Sequence, residues 1–235
     1  MSYKPELVVV IPVYNEAENL PALLEDWQPV FQHTGVPYKL ILIDDGSKDN
    51  SLRLLQTLAA GDPTLEVYTQ PNAGHGPAIL NGYHRAIDAG AGWIFQIDSD
   101  HQLQTTAFRQ LWDNRTGYDL LLAQRTRKYA SPGRQWVSRF AGWSVRLLFG
   151  AGVSDINSPY RLMLSTALQP ALSKIPADSF APNVLITSWF VKKKYRIFIT
   201  TVHPMDKGLR QSRMNRYFLR GALRSFRQLI LFRIK

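Results

Sequence analysis

Cysteine is absent from the 235-residue chain. That excludes disulfides and thiolate metal sites, so any metal has to be held by carboxylate, amide, imidazole, water or substrate oxygen. No segment approaches the ~18 uninterrupted apolar residues of a membrane-spanning helix. Met1 to Glu6 carries no cationic stretch followed by an apolar run, so no secretory signal is expected, and the cytoplasmic side is the default location. Internal repeats and low-complexity linkers are also missing. Acid is scarce at one end only. From Lys192 to Lys235 there are 13 Lys and Arg against the single acid Asp206, a net of +12, which leaves −2 for the rest of a chain whose total is +10. A nearly neutral body with a basic tail points to an anionic partner for the tail, either a phosphate-bearing surface or nucleic acid.

What is present is enough for one core. With 45% apolar residues, a chain of this length fills a single α/β domain. Strand-length apolar runs recur at Leu7 to Val13, Lys39 to Ile43, Leu65 to Tyr68, Trp93 to Ile97 and Leu120 to Ala123. They are continuous rather than alternating, as strands buried on both faces are. Helix-like stretches lie between them, at Glu18 to Gln32, Asn50 to Ala60, Pro77 to Ala89 and Thr105 to Asn114. The alternation predicts a mostly parallel sheet covered by helices. After Arg125 it lapses into an Arg/Trp-rich helical stretch, Gln135 to Phe149. Further strands are expected at Tyr160 to Leu164 and Arg196 to Val202, around a helix at Val184 to Lys193.

In an open parallel sheet, ligands bind beyond the carboxyl ends of the strands. Three of those ends are strongly polar here: Pro12-Val13-Tyr14-Asn15-Glu16, Asp44-Asp45-Gly46-Ser47 and Asp98-Ser99-Asp100-His101-Gln102. Asp98, Asp100 and Gln102 alternate, so they can offer oxygens to one hard cation. Mg²⁺ or Mn²⁺ would suit such a shell, keeping positions for water and substrate phosphate. Taken singly, each cluster also has a plain reading. Asp-Ser-Asp can be a polar turn, Asp44-Asp45 a turn with an Asx cap leading to Asn50, and the first cluster a junction capped by Asn15 or Asn19. His75, His84 and His101 fit no zinc spacing, although His101 is placed to line the site.

The three clusters taken in order resemble the family two glycosyltransferases of GT-A fold. Within them the chain is similar to the dolichol-phosphate mannose synthase and polyprenyl-phosphate glycosyltransferase branch, over about residues 7 to 213. The resemblance implies an α/β, Rossmann-like GT-A domain over 1–213, with a donor half over 1–125 and an acceptor half over 126–213. It places Pro12, Tyr14 and Glu16 in the nucleotide pocket and Asp44 beside the base or ribose. Asp98, Asp100 and Gln102 become the metal and diphosphate site, with Ser99 between them. Asn72-Ala73-Gly74-His75-Gly76 resembles the glycine-bearing loop that approaches the donor, with Gly76 near the ligand. Asp155-Ile156-Asn157-Ser158-Pro159-Tyr160-Arg161 resembles an Asp-x-x-Ser-Gly-Phe-Arg segment, with Pro159 and Tyr160 departing from it. His203 to Arg213 resembles a basic loop closing on donor and acceptor phosphates, through Lys207 and Arg213. Arg125, Arg127 and Arg139 fall where relatives place phosphate-binding arginines, and Asn183 falls near where many carry Glu.

The implied reaction is metal-dependent, inverting transfer of a hexose from a UDP- or GDP-sugar to a polyprenyl or dolichyl phosphate, with Asp98, Asp100, Arg125 and Arg139 as the catalytic set. The same fold acting on a hydroxyl of a polysaccharide or glycolipid is the alternative, and Asp155 or Asp178 acting as a base would favour it. Nucleic-acid binding is a remote reading of the charge that leaves the acidic motifs unexplained, so no nucleic-acid partner is expected. Over 214–235, arginines at 213, 216, 220, 224 and 227 recur at spacings of three and four beside an apolar sector that includes Leu219, Leu223, Phe226, Leu229 and Ile230. This is a basic amphipathic helix suited to lie on an anionic membrane surface, peripheral on its cytoplasmic face, with room for a separate membrane-spanning partner.

Overall fold

The computed structural model describes residues 4–125, 155–205 and 227–230. The chain opens with β1 (Leu7–Val13), α1 (Leu20–Gln32), β2 (Tyr38–Asp44), α2 (Ser51–Gly61), β3 (Leu65–Thr69), α3 (His75–Asp88) and β4 (Trp93–Gln96). It continues with α4 (Thr106–Asn114), β5 (Leu120–Arg125), β6 (Arg161–Leu164), α5 (Ser165–Leu172), α6 (Pro182–Lys192) and β7 (Ile197–Val202). The seven strands form one sheet of order β3-β2-β1-β4-β6-β5-β7. Every pairing is parallel except those of β6, which runs against both β4 and β5.

Both faces of this sheet are covered, which is why the strand sequences read as unbroken apolar runs. Val8, Val10, Ile41, Ile43 and Ile94 pack with α3, α5 and α6, while Leu7, Val9, Ile11, Leu40, Leu42 and Phe95 pack with α1, α2 and α4. The second layer is aromatic at its centre, where Trp27 lies within 5.3–6.2 Å of Phe31, Phe95, Phe108 and Tyr160.

Strand order reverses at β1, whose next strand, β2, lies to one side and whose other neighbour, β4, to the other. The pairing with β4 ends at Val10↔Gln96, whereas that with β2 runs on to Val13↔Asp44. Val10 accepts a bond from the N–H of Ile97. Two residues on, Pro12 therefore faces the same side and has no N–H to offer. Proline marks the point where β1 and β4 part, and the split opens a crevice at the carboxyl edge.

The Gln135 to Phe149 stretch, Arg127 and Arg139 lie outside the described residues. Helix α5, which contains Pro170, is an element the sequence pattern did not announce.

Candidate active site

The crevice is built by loops that hold one another. Asn15 adopts a left-handed backbone with φ 54°. Its N–H donates to Ser47 Oγ at 3.0 Å and its Oδ1 accepts from the N–H of Lys48 at 2.7 Å. The N–H groups of Glu16 and Ala17 donate to Ser51 Oγ and Asp49 Oδ2. These residues clamp the β1 and β2 loops together. Asn19 makes no side-chain cap bond to its helix, so the plain reading of it as a cap does not hold; it donates instead to Glu16 Oε2 at 2.5 Å. Tyr14, 41% exposed, and the half-buried Glu16 remain open to the crevice, with Pro12 buried behind them.

The two acids after β2 differ. Asp45 is buried and fixes the next loop, its carboxylate accepting from the N–H groups of Ala73 and Gly74 and from the Gln70 amide. Asp44 is fully buried, taking the Ser47 N–H at 3.3 Å and the Thr69 hydroxyl at 3.1 Å. Its carboxylate is closed to solvent, so a base or ribose would reach it only after these groups shift. Gly76 is corrected more sharply. A Cβ there would lie 1.9 Å from the carbonyl oxygen of Ser179 and 2.9 Å from that of Phe180. The close approach that this glycine allows is to the protein's own backbone.

After β4, Asp98 is half-buried and Ser99 buried. Burial, together with the neighbouring charges of Asp98 and Glu16, pushes the Asp100 carboxyl up to about 7, against the pull of the Gln102 N–H and Arg125. A pair of carboxylates that repel in a poorly solvated crevice calls for a cation, and an all-oxygen set fits Mg²⁺ or Mn²⁺. Among the described residues, no third His, Asp or Glu joins them to complete a cage, so Asp98, Asp100 and Gln102 would hold such an ion together with donor phosphate. His101, also left-handed at φ 49°, is buried with Nε2 2.8 Å from Asp26 Oδ2 and lines a recess with Leu23, Trp27, Asp98 and Asp100.

Gln96 and Tyr83 escaped the sequence reading, which named His75 and Asn183 without linking them to Asp98. Asp98 Oδ1 lies 3.4 Å from the amide of Gln96 and 3.4 Å from His75 Nε2. Gln96 is oriented in turn by Tyr83, whose hydroxyl is 2.6 Å from its Oε1, and by Asn183, whose amide donates to the same oxygen at 2.8 Å. Asn183 is thus part of a buried network reaching Asp98. The visible signal was a glutamine ending the strand Trp-Ile-Phe-Gln.

Arg125, at the end of β5, bonds Asp155 through two nitrogens at 3.1 and 3.4 Å. Burial opposes its charge, but Asp155, Asp98 and Asp100 outweigh it and push its pKa up. Both oxygens of Asp155 are thereby engaged by Arg125. Ser158 donates to the carbonyl of Ala123 at 2.6 Å, and Arg161, fully buried, is held by the carbonyls of Ser158, Ile156 and Asn183 and the hydroxyl of Thr187. The Asp155-to-Arg161 segment therefore braces the Arg125 end of the crevice. The chain after β7 returns to the acidic motif, where Met205 N–H donates to the Gln102 carbonyl at 2.8 Å and Gln104 N–H to that of His203 at 3.2 Å. Lys207 and Arg213 lie beyond the described residues.

The sequence profile described as Glycosyl transferase family 2 matches residues 8–175. The chain belongs to this family. Its relatives include the undecaprenyl-phosphate 4-deoxy-4-formamido-L-arabinose transferase of Pseudomonas fluorescens, 29% identical over 81% of this chain and 55% of that protein. The corresponding transferase of Pectobacterium carotovorum is 30% identical over 80% and 57%. The chain spans little more than half the length of these curated relatives. Glucosyl-3-phosphoglycerate synthase of Mycobacterium tuberculosis, solved with uridine diphosphate, superposes with a TM-score of 0.70 at 17% identity over 97% of this chain and 80% of that one. TarS of S. aureus gives 0.59 at 16% identity over 84% and 60%. The family two chain thus has the GT-A fold expected of it. Among its described residues no helix is long and apolar enough to cross a membrane.

Proposed function

We propose that this family two chain transfers a sugar from a nucleoside diphosphate donor to a polyprenyl phosphate at an anionic membrane surface. The carrying observation is the meeting of Asp98, Asp100 and the charged Arg125 at the carboxyl edge beside the β1/β4 split. Tyr14 and Glu16 border the nucleotide side, and Asp98, Asp100 and Gln102 hold the divalent ion. When bound, that ion neutralises the charge developing on the departing diphosphate.

Arg125 spends Nε and Nη2 on Asp155, which leaves Nη1 to grip an acceptor phosphate. The phosphate oxygen attacks the anomeric carbon in line, the bond to the diphosphate breaks, and configuration inverts. An anionic oxygen needs no strong general base. This agrees with Asp155 being occupied, and the names of the undecaprenyl-phosphate relatives favour the same acceptor class. Arg139, Lys207 and Arg213 complete the phosphate-binding set in this proposal.

The test is transfer to undecaprenyl phosphate from a panel of UDP- and GDP-sugars with Mg²⁺ or Mn²⁺. One donor is expected to give a lipid-linked sugar, and Asp100→Ala to reduce turnover by about 10²–10³-fold, the scale of losing electrostatic stabilisation in the transition state. A neutral alcohol accepting better than the lipid phosphate overturns the acceptor assignment, and near-native turnover by Asp100→Ala overturns the metal assignment.

A further inference from the structure

His75 is held with unusual care for a residue whose side chain is 57% exposed. On one flank Asp45 fixes the two preceding N–H groups, at 2.9 Å from Ala73 and 2.8 Å from Gly74. Gly74 itself takes a φ of 97°, a conformation that glycine adopts without penalty. On the other flank Gly76 is bedded against the carbonyls of Ser179 and Phe180. The backbone of His75 cannot drift, and its imidazole stands over the crevice rather than in the core.

It stands beside one particular atom. Nε2 is 3.4 Å from Asp98 Oδ1, the oxygen already approached by the Gln96 amide at 3.4 Å. Both neighbours therefore lie on Oδ1. Among the described residues no hydrogen bond engages Oδ2, which leaves that oxygen to a cation. Long contacts of this kind in a ligand-free site tighten when the ligand arrives.

We propose that His75 is a positioning residue for Asp98, pinning Oδ1 so that Oδ2 is the oxygen offered to the divalent ion. The proposal rests on the metal-site reading above. Gln96 performs the same task from the buried side, but its removal would disturb the core network with Tyr83 and Asn183. His75 is the partner whose loss isolates the effect.

The experiment is Mn²⁺ binding followed by electron paramagnetic resonance, with Mn²⁺ alone and with uridine diphosphate added, on the full chain and three variants. His75→Ala is expected to weaken Mn²⁺ binding by about 10-fold or more, the usual cost of losing an outer partner of a metal ligand, with an unchanged melting temperature. His75→Gln keeps a side-chain N–H at similar reach and is expected to restore most of the affinity. Asp98→Ala is expected to bind no Mn²⁺. Wild-type affinity in His75→Ala overturns the positioning role while the metal site stands; so does a glutamine variant as weak as alanine, since imidazole would then act otherwise. Absence of Mn²⁺ binding in the wild type, or its retention in Asp98→Ala, overturns the metal reading and this proposal with it.

Discussion

Asp100 shows how much a single side chain reveals about what its site is for. A carboxyl held up to about 7 by burial and by Asp98 and Glu16 keeps a proton in the folded, cation-free chain that the unfolded chain releases above 3.8. Between those values the native state binds more protons than the unfolded state, so this group's contribution to stability falls as pH rises and levels off above about 7. Asp49, Glu66 and Asp119 act oppositely. Burial opposes this at Glu66 and Asp119, and only slightly at the exposed Asp49, but hydrogen bonds from Ser51, Lys39 and Arg196 respectively pull each pKa below the ordinary value. Their contribution is present above the ordinary carboxyl range and is lost only in acid below it, a separate window. The melting temperature of the cation-free protein is therefore expected to fall from about pH 5 to about pH 7. Asp100→Asn should flatten that fall, as should Mn²⁺ with a nucleoside diphosphate, which competes with the proton for the same oxygens. Calorimetry across this range decides it, and an Asp100→Asn profile that parallels the wild type would show the slope comes from elsewhere.

Among the elements, α3 follows the loop proposed to approach the donor, and its placement depends on one absent methyl group. Gly76→Ala would set a Cβ 1.9 Å from the Ser179 carbonyl, against backbone that cannot rotate away. The first turn of α3 or the segment at Ser179 must then move, at the cost of about 1–3 kcal/mol typical of overpacking. Displaced with it would be Asn72 to His75, so nucleotide affinity should fall together with the melting temperature; a variant that melts like the wild type would mean that α3 is not seated as described. Sequence reading could see this glycine but not its partner, because Ser179 is about a hundred residues away and only the fold brings it near. The same limit explains the other differences. β1 to β5 were legible because burial on both faces writes itself as a local apolar run. β6 was legible as a strand at Tyr160 to Leu164, but its antiparallel direction is set by its neighbours β4 and β5 and is not carried by its own sequence. Asn15 and Asn19 suggested helix caps, yet Asn15 ties one loop to another, a choice set by the proximity of β1 and β2. Asp98 and Asp100 were legible as a pair because their spacing is local, as is that of Gln96, whereas Asn183 and His75 join them only through tertiary packing.

At the scale of the whole molecule the uneven charge sets the remaining question, which is how a neutral body and a basic end would meet the proposed lipid-borne substrate. Beyond residue 205, the part of that end which the structure describes is the helical turn 227–230. Leu229 is buried in the core with α3 and α6, and Gln228 Oε1 accepts the Ser179 hydroxyl at 3.2 Å, whereas Arg227 and Ile230 are exposed. The apolar sector is therefore divided at this turn: one residue docks on the domain, and an adjoining basic and apolar pair faces outward. Truncation would confound the two roles by removing Leu229 from the core, so substitutions that spare it are the cleaner probe. Replacing Arg216, Arg220, Arg224 and Arg227 with Gln removes four charges, each contributing about 1 kcal/mol near an anionic leaflet. Sedimentation with phosphatidylserine-containing vesicles is expected to fall by roughly two to three orders of magnitude in partition coefficient, given that each 1.4 kcal/mol is tenfold, with the melting temperature and nucleotide affinity unchanged. Low salt gives the electrostatic attraction its longest reach. Vesicle binding by the four-Gln variant that equals the wild type there would show that the arginine stripe does not hold this chain to the membrane.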